Sequence, residues 1–430
     1  MPYLALLRRN PQFARLWAAQ AVSLIGDWFN SIVIFSLVSV YTNGSGAAVG
    51  ALLLARFLPP LLVSPLAGVL LDRYDRKTLL IASDIIRSVI VIGFLFANSP
   101  DRLWLIYLLT ILQFAVSAIF EPGRSAFTPS VVRRDDLVDA NVLGSQTWSL
   151  ALAIGGALGG FIAGAFGIQT ALLLDALTFG VSAAFIWSIR PDQPQPERAP
   201  HTGGISARDF IEGLRYARAH PQAGSALFVK FGGSIGAVDS LLVAYATVLF
   251  PLYLAGSATT AEQAGSFSLG VLWTAFGIGA LLGPIVIARR SDGSLRTMRR
   301  LILFAYAFIT VGWLVFGAST TLLMAAGAML IKAMGSNVYW TYSSVILQKT
   351  VDDAYLGRMF ALDMAGFQLA TVLSVSVTSA VLEAVGSMQA QTVTLWTAVV
   401  SLAPLVIWYL ITRWLDAREP HRHPAPVAGD

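Results

Sequence analysis

Gly68-Val69-Leu70-Leu71-Asp72-Arg73-Tyr74-Asp75-Arg76-Lys77 is a short charged loop set between two apolar runs, 46–71 and 78–97. Each run reaches the ~20 residues that an α-helix needs to cross the ~30 Å hydrocarbon core of a bilayer. The pattern therefore predicts a helix crossing, a basic loop and a helix returning. Outward from this hairpin the pattern repeats. Residues 28–55, 140–174, 240–261, 263–288, 301–331 and 384–412 contain no Asp, Glu, Lys or Arg. Asn43-Gly44-Ser45-Gly46 divides the first of these and Phe166-Gly167 the second, as turn residues do. Twelve helices are predicted, at 14–40, 46–71, 78–97, 103–125, 142–165, 168–189, 225–253, 265–288, 300–317, 322–347, 359–384 and 391–414. No run alternates with period two as a barrel strand would, and a spanning helix satisfies its own backbone. The predicted fold class is an all-α membrane protein with twelve transmembrane helices in two six-helix bundles.

Composition agrees. Of 430 residues, 56% are hydrophobic and 12% charged, about half the charge of a soluble domain. That excludes a soluble enzyme, a nucleic-acid-binding module and a disordered chain. The chain has no cysteine, hence no disulfide, thiolate metal site or thiol nucleophile. The net charge of +5 is explained by placement. With the amino terminus set in the cytoplasm, 24 of the 29 Lys and Arg fall in cytoplasmic segments and one, Arg102, falls outside. Arg56, Arg87, Lys230 and Lys332 lie within spans. This asymmetry predicts a multi-pass protein of the cell (inner) membrane with both termini cytoplasmic. Ala19-Gln20-Ala21 follows too short an apolar run, interrupted by Arg15, to be a signal-peptide cleavage site.

Residues 190–204, with Pro191, Pro194, Pro196, Pro200, Gly203 and Gly204, read as a polar linker. Four segments are expected: a six-helix bundle over 1–189, a cytoplasmic linker over 190–221, a second bundle over 222–414 and a tail over 415–430. Within the linker, 205–219 reads as an amphipathic helix tying the halves together, with Phe210, Ile211 and Leu214 on one face. The halves echo each other. Asp27 and Asp239 lie mid-way along spans 1 and 7, and Gln113 and Lys332 sit about ten residues into spans 4 and 10. Repeats of this kind place a substrate site at the bilayer midplane between them.

The loop quoted at the start resembles the signature loop of the major facilitator superfamily, with Gly68, three residues later Asp72-Arg73, then the basic pair Arg76-Lys77. Asp75 stands where that family usually has glycine. Other stretches resemble the drug:proton antiporters that include macrolide efflux proteins and the enterobactin exporter. They are Asp84-Ile85-Ile86-Arg87, Glu121-Pro122-Gly123-Arg124, Ala140-Asn141-Val142-Leu143, Glu212-Gly213-Leu214-Arg215-Tyr216 and Gly357-Arg358-Met359-Phe360. Two positions depart from that subgroup. Gln113 stands where many proton antiporters have arginine, and Gly156 stands for the proline of the glycine motif in span 5. The resemblance implies the major facilitator fold, alternating access, export of a small amphipathic or lipophilic molecule of drug or siderophore type, and exchange against protons. A lysophospholipid flippase or metal-ion exporter of the same fold is the alternative. A non-transporting receptor or scaffold is the alternative of another class.

Charges inside a bilayer cost ~2.5–3.5 kcal/mol each on insertion scales, so they persist where they pair or line a wet cavity. Asp27, Arg56, Asp239 and Lys332 are the candidates for proton coupling or cavity charge. Asp27 either pairs with Arg56 or faces the cavity and carries a proton. Lys332 either balances an acid or meets an anionic substrate group. Trp28, Asn30, Gln113, Phe114, Trp148, Phe276, Tyr339, Trp340, Phe367 and Gln368 are candidate lining residues at the same depth. Gly68, Asp72, Arg73, Arg76, Asp84, Arg87, Glu121 and Asp363 lie nearer the cytoplasmic ends and are expected to form its gate. Gly156, Gly160 and Gly164 recur every four residues, a face for close helix approach. There is no phosphate-binding Gly-x-x-x-x-Gly-Lys-Ser/Thr loop, and the four histidines fall outside the spans. No enzyme activity, cofactor, metal site, nucleic acid or obligatory protein partner is expected. The expected partners are a small-molecule substrate, protons and the lipid bilayer.

Overall fold

The structure is a computed structural model describing residues 2–190, 207–236, 238–253, 259–287 and 292–418. Every long element in them is a helix: α1 (Pro2–Arg9), α2 (Pro11–Tyr41), α3 (Gly46–Arg73), α4 (Arg76–Gly93), α5 (Leu103–Phe127), α6 (Leu137–Phe166), α7 (Ile168–Trp187), α8 (Ala207–Ala219), α9 (Pro221–Gly233), α10 (Val238–Ala244), α11 (Ala261–Ile287), α12 (Leu295–Gly317), α13 (Leu322–Thr350), α14 (Asp353–Val385) and α15 (Ala390–Arg418). Among the described residues eleven helical segments are long and apolar enough to cross a membrane. Beside them stands α3, whose shorter apolar stretch is Gly46–Pro60.

Local chemistry sets the ends. Ser45 accepts the Ala48 N–H at 3.1 Å to cap α3, and Thr321 accepts that of Met324 to cap α13. Asp75 explains its own departure from the family glycine. Its φ of −61° needs no glycine, and its carboxylate accepts the Thr78 N–H at 2.7 Å and the Thr78 hydroxyl at 2.9 Å. The loop thus exchanges backbone freedom for an N-cap on α4.

The exterior is apolar. Leu323 is 82% exposed, Trp396 67%, Val377 62% and Leu177 60%, a surface suited to contact with lipid. The polar residues turn inward: Asp84, Asp175, Lys230, Lys332 and Asp363 are buried. Helices before residue 191 pack mainly on one another, through α2 with α6 and α7, α4 with α5 and α7, and α3 with α5. Those after 206 do likewise, through α12 with α13 and α15, and α9 with α13 and α14. The two groups meet chiefly where α6 crosses α11 and where α3 crosses α14. The glycine face of α6 makes the first crossing: a Cβ on Gly160 would fall 2.6 Å from the Gly270 Cα, and one on Gly164 2.6 Å from Phe267.

One expectation is revised. Span 7 is not one helix. It breaks after α9, where Gly236 takes φ +96°, and resumes as α10 followed by a π-helical turn at Tyr245–Leu249. The amphipathic helix does form, as α8, but packs on α9 and α14. Gly213 lies against Leu362, Tyr216 donates to Asp352 at 3.1 Å, and Glu212 meets Arg358 at 3.5 Å. Among the described residues it is seated on the carboxy-terminal helices.

Candidate functional site

Sequence proximity cannot bring α2, α3, α5, α10 and α13 together; the bundle does. Asp27 and Arg56 face one small cavity with Asn30, Phe35, Gln113 and Phe114. Its free volume is about 20 Å³, room for a water molecule but not for a solute. Asn30 donates to Gln113 at 3.2 Å across it. The Arg56 guanidinium lies 5.0 Å from the Phe114 ring centre, 5.9 Å from Phe35 and 6.0 Å from Trp28, a cation in an aromatic cradle. Trp28 meets Trp273 of α11 at 5.0 Å, and Trp273 meets Phe276 at 5.5 Å. Phe276 in turn lies 5.5 Å from the Lys332 ammonium, which has Trp313 at 4.9 Å on another side. Aromatic rings thus run unbroken from the cation of one helix group to the cation of the other. Asp239 is within electrostatic range of both Arg56 and Lys332. The structure brings Asp27, Arg56, Asp239 and Lys332 into one polar region.

The ion pairs differ from those the sequence suggested. Asp27 has its nearest cation in Arg87, at 3.9 Å, and Arg87 also holds Asp84 at 2.5 Å. Asp84 accepts the Ser182 hydroxyl at 2.6 Å, while Phe179 and Phe120 flank the guanidinium at 4.4 and 4.6 Å. Asp84 and Arg87, expected at a cytoplasmic gate, therefore belong to the same interior network as Asp27. Asp363 behaves alike. Lys230 of α9 meets it at 2.5 Å, donates to Ser344 at 3.0 Å and lies 4.4 Å from the Trp340 ring, itself edge-on to Phe367 at 5.0 Å. Burial explains both shifts, because a charge removed from water must take its partner from whatever helix faces it.

The remaining candidates are dispersed. Tyr339 stacks on Tyr306 at 6.0 Å and covers Gly233. Gln368 is half-buried on α14, while Trp148 on α6 is 48% exposed and outside the cavity lining. Glu121 pairs with Arg124 one turn along its own helix. Arg73 is exposed at the end of α3, and Arg76 opens α4. Gly68 and Asp72 lie in α3, and their side chains are outside the described ones. Sequence reading missed Trp273 and Trp313, which carry the aromatic run, and left Lys230 and Asp175 without a role. Depth alone could have flagged them, but not their orientation.

At the Arg-poor end the groups are laced together. Ser39 bonds Thr247 at 2.6 Å, Ser36 donates to the Glu262 carbonyl at 2.7 Å, Ser45 donates to Glu383 at 2.7 Å and Ser387 to the Gly44 carbonyl.

A family model described as Major Facilitator Superfamily matches residues 16–331. The chain belongs to that superfamily. Among similar transporters, an MFS-type transporter of Bacillus subtilis (strain 168), YfiS, is 24% identical over 385 residues, covering 86% of this chain and 87% of the relative. Macrolide efflux protein A of Streptococcus pyogenes is 23% identical over 368 residues, 82% and 84% of the two chains. The nucleoside transporter NupG shares the fold, with a TM-score of 0.69 at 13% identity, over 93% of this chain and 98% of that one. As a facilitator-superfamily transporter with efflux-type relatives, the protein is an integral membrane protein that moves small molecules, and the signature stretch, Asp75 variant included, spans the end of α3, the turn at 74–75 and the start of α4.

Proposed function

We propose that this transporter exports a small amphipathic or lipophilic molecule in exchange for protons, by alternating access, with the Arg-rich end in the cytoplasm. The observation that carries the reading is Asp27: its side chain is 34% exposed, faces the cavity and stands between two cations, Arg56 and Arg87. As a carboxylate, Asp27 draws both cations toward it. Protonated, it releases them, so the proton and a substrate that needs those cations compete for one conformation. The aromatic run from Phe114 to Trp313 offers apolar faces with two cations at its ends, a lining suited to a ringed, partly polar solute. The charge asymmetry of the loops orients the protein, so the laced end is the outer one and is closed in this conformation. Its water-sized cavity then widens by rocking of α6 on α11, along glycines that present no side chain to catch. The name of the macrolide efflux relative supports export of a bulky apolar compound.

The test is transport in proteoliposomes with an imposed pH gradient and a radiolabelled macrolide as probe. Asp27→Asn should reduce pH-driven accumulation to the level of the pH-equilibrated control while leaving the protein monodisperse. Undiminished pH-driven accumulation in that variant would remove Asp27 from proton coupling.

A further inference from the structure

Asp175 of α7 has no part in the scheme above, and its surroundings are unusual. It is fully buried, and neither carboxylate oxygen has a hydrogen-bond partner. It is packed so tightly on α2 that a Cβ on Gly26, the residue before Asp27, would fall 2.6 Å from its Oδ1. Of the nearby donors, the Asn30 amide gives one N–H to Gln113 and keeps its second, and the Thr178 hydroxyl goes to the backbone carbonyl of Asp175 itself. The elements packed on α7 are chiefly α2, α4, α6 and the turn at 94–96. From α2 comes Asp27 and from α4 come Asp84 and Arg87. In α6 and the turn the ionisable residue is Asp139, in the first turn of α6 at the other end of that helix. Arg87 is already shared between Asp84 and Asp27.

Charge counting reaches the same residue. Apart from Glu121 and Arg124, which pair with each other within α5, the spanning helices carry five carboxylates away from their ends, Asp27, Asp84, Asp175, Asp239 and Asp363, against four cations, Arg56, Arg87, Lys230 and Lys332. One carboxylate is in excess, and one proton balances the set. Asp84 has Arg87 and Ser182, Asp363 has Lys230, Asp239 has Arg56 and Lys332, and Asp27 has Arg56 and Arg87. Only Asp175 among them lacks a cation of its own, and a bare carboxylate in an apolar interior takes up a proton rather than remain charged.

We infer that Asp175 is a second proton-binding site, lying behind Asp27, which holds a proton in this conformation and exchanges it with Asp27. In that step the proton leaves the Asp175 carboxylic acid, which becomes a carboxylate, and Asp27 changes from carboxylate to acid; charge and atoms balance without a further reactant. The excess proton thereby moves between a site sealed from the cavity and one facing it. This exchange rests on the antiport reading, whereas the bound proton does not.

Infrared spectroscopy of the full-length protein in lipid nanodiscs reads the bound proton directly. At neutral pH the wild type should show a protonated-carboxyl C=O band that is lost in Asp175→Asn and kept in Asp27→Asn. A wild type without the band, or a band surviving Asp175→Asn, overturns the proposal. If Asp175→Asn does not fold, Asp175→Glu keeps an acid at the position and moves its carboxyl along the side chain; the band should shift, and an unshifted band overturns the assignment. In proteoliposomes with the same macrolide, Asp175→Asn should lose pH-driven accumulation yet retain exchange at equal pH. Retained pH-driven accumulation overturns the relay. A wild type indifferent to the pH gradient overturns the antiport reading and the exchange together, and the spectrum then decides the bound proton alone.

Discussion

Lys230 and Asp363 show what a single residue does at this depth. Both side chains are almost wholly buried, and they meet at 2.5 Å beneath the Trp340 ring. Removing one partner leaves a charge with neither water nor counter-ion. Lys230→Ala is therefore expected to lower stability by about 3–5 kcal/mol, read as a fall in thermal midpoint by size-exclusion of detergent-solubilised protein. Lys230→Met with Asp363→Leu should recover most of the loss, because two apolar side chains leave nothing unpaired; a double variant as unstable as the single one would contradict this. Asp75 makes a smaller prediction. Asp75→Ala removes the cap on Thr78 and should cost about 1 kcal/mol, while Asp75→Gly should cost only a few tenths, measured in the same way. At this scale sequence reading found the ionisable residues but chose partners poorly. Asp84 and Arg87, three apart, were legible as neighbours on one helix turn. Lys230 and Asp363 lie 133 positions apart, and nothing local indicates that their helices face each other.

Among elements, the crossing of α6 and α11 carries the most consequence. Gly156, Gly160 and Gly164 were legible as a smooth face from their spacing, but its partner was not. The partner includes Gly270 and Gly277, where a Cβ would meet Gly160 and Ala153 at about van der Waals overlap. Gly160→Leu is expected to force the helices apart and abolish transport, with membrane insertion intact by expression and protease mapping; transport at wild-type rate would show that the approach is not needed. The break in span 7 was also present in the sequence, as Gly232-Gly233-Ser234 and Gly236. Hydropathy continues across it, so the stretch reads as a single span. Hydropathy reports transfer to lipid and is blind to a change in backbone direction.

At the scale of the molecule, the lacing of the Arg-poor end and the water-sized cavity describe a closed Arg-poor side. A chain without cysteine lends itself to a direct trap. Ser45→Cys with Glu383→Cys places two thiols where a 2.7 Å hydrogen bond now stands. Oxidation is expected to stop transport and reduction to restore it, followed as uptake of the labelled macrolide before and after reductant. Full activity of the oxidised, cross-linked protein would mean that this end does not open in the cycle. By itself the sequence determined the helical spans, the charged and the free ends, and the signature loop, because insertion into a bilayer is decided segment by segment from length, apolarity and flanking charge. Only the tertiary structure decided that Arg87 serves both Asp27 and Asp84, that Trp28 reaches Trp273, and that Asp175 is left without a cation. Those pairings depend on how each helix is rotated about its axis and which neighbour it faces, and packing between distant segments sets both.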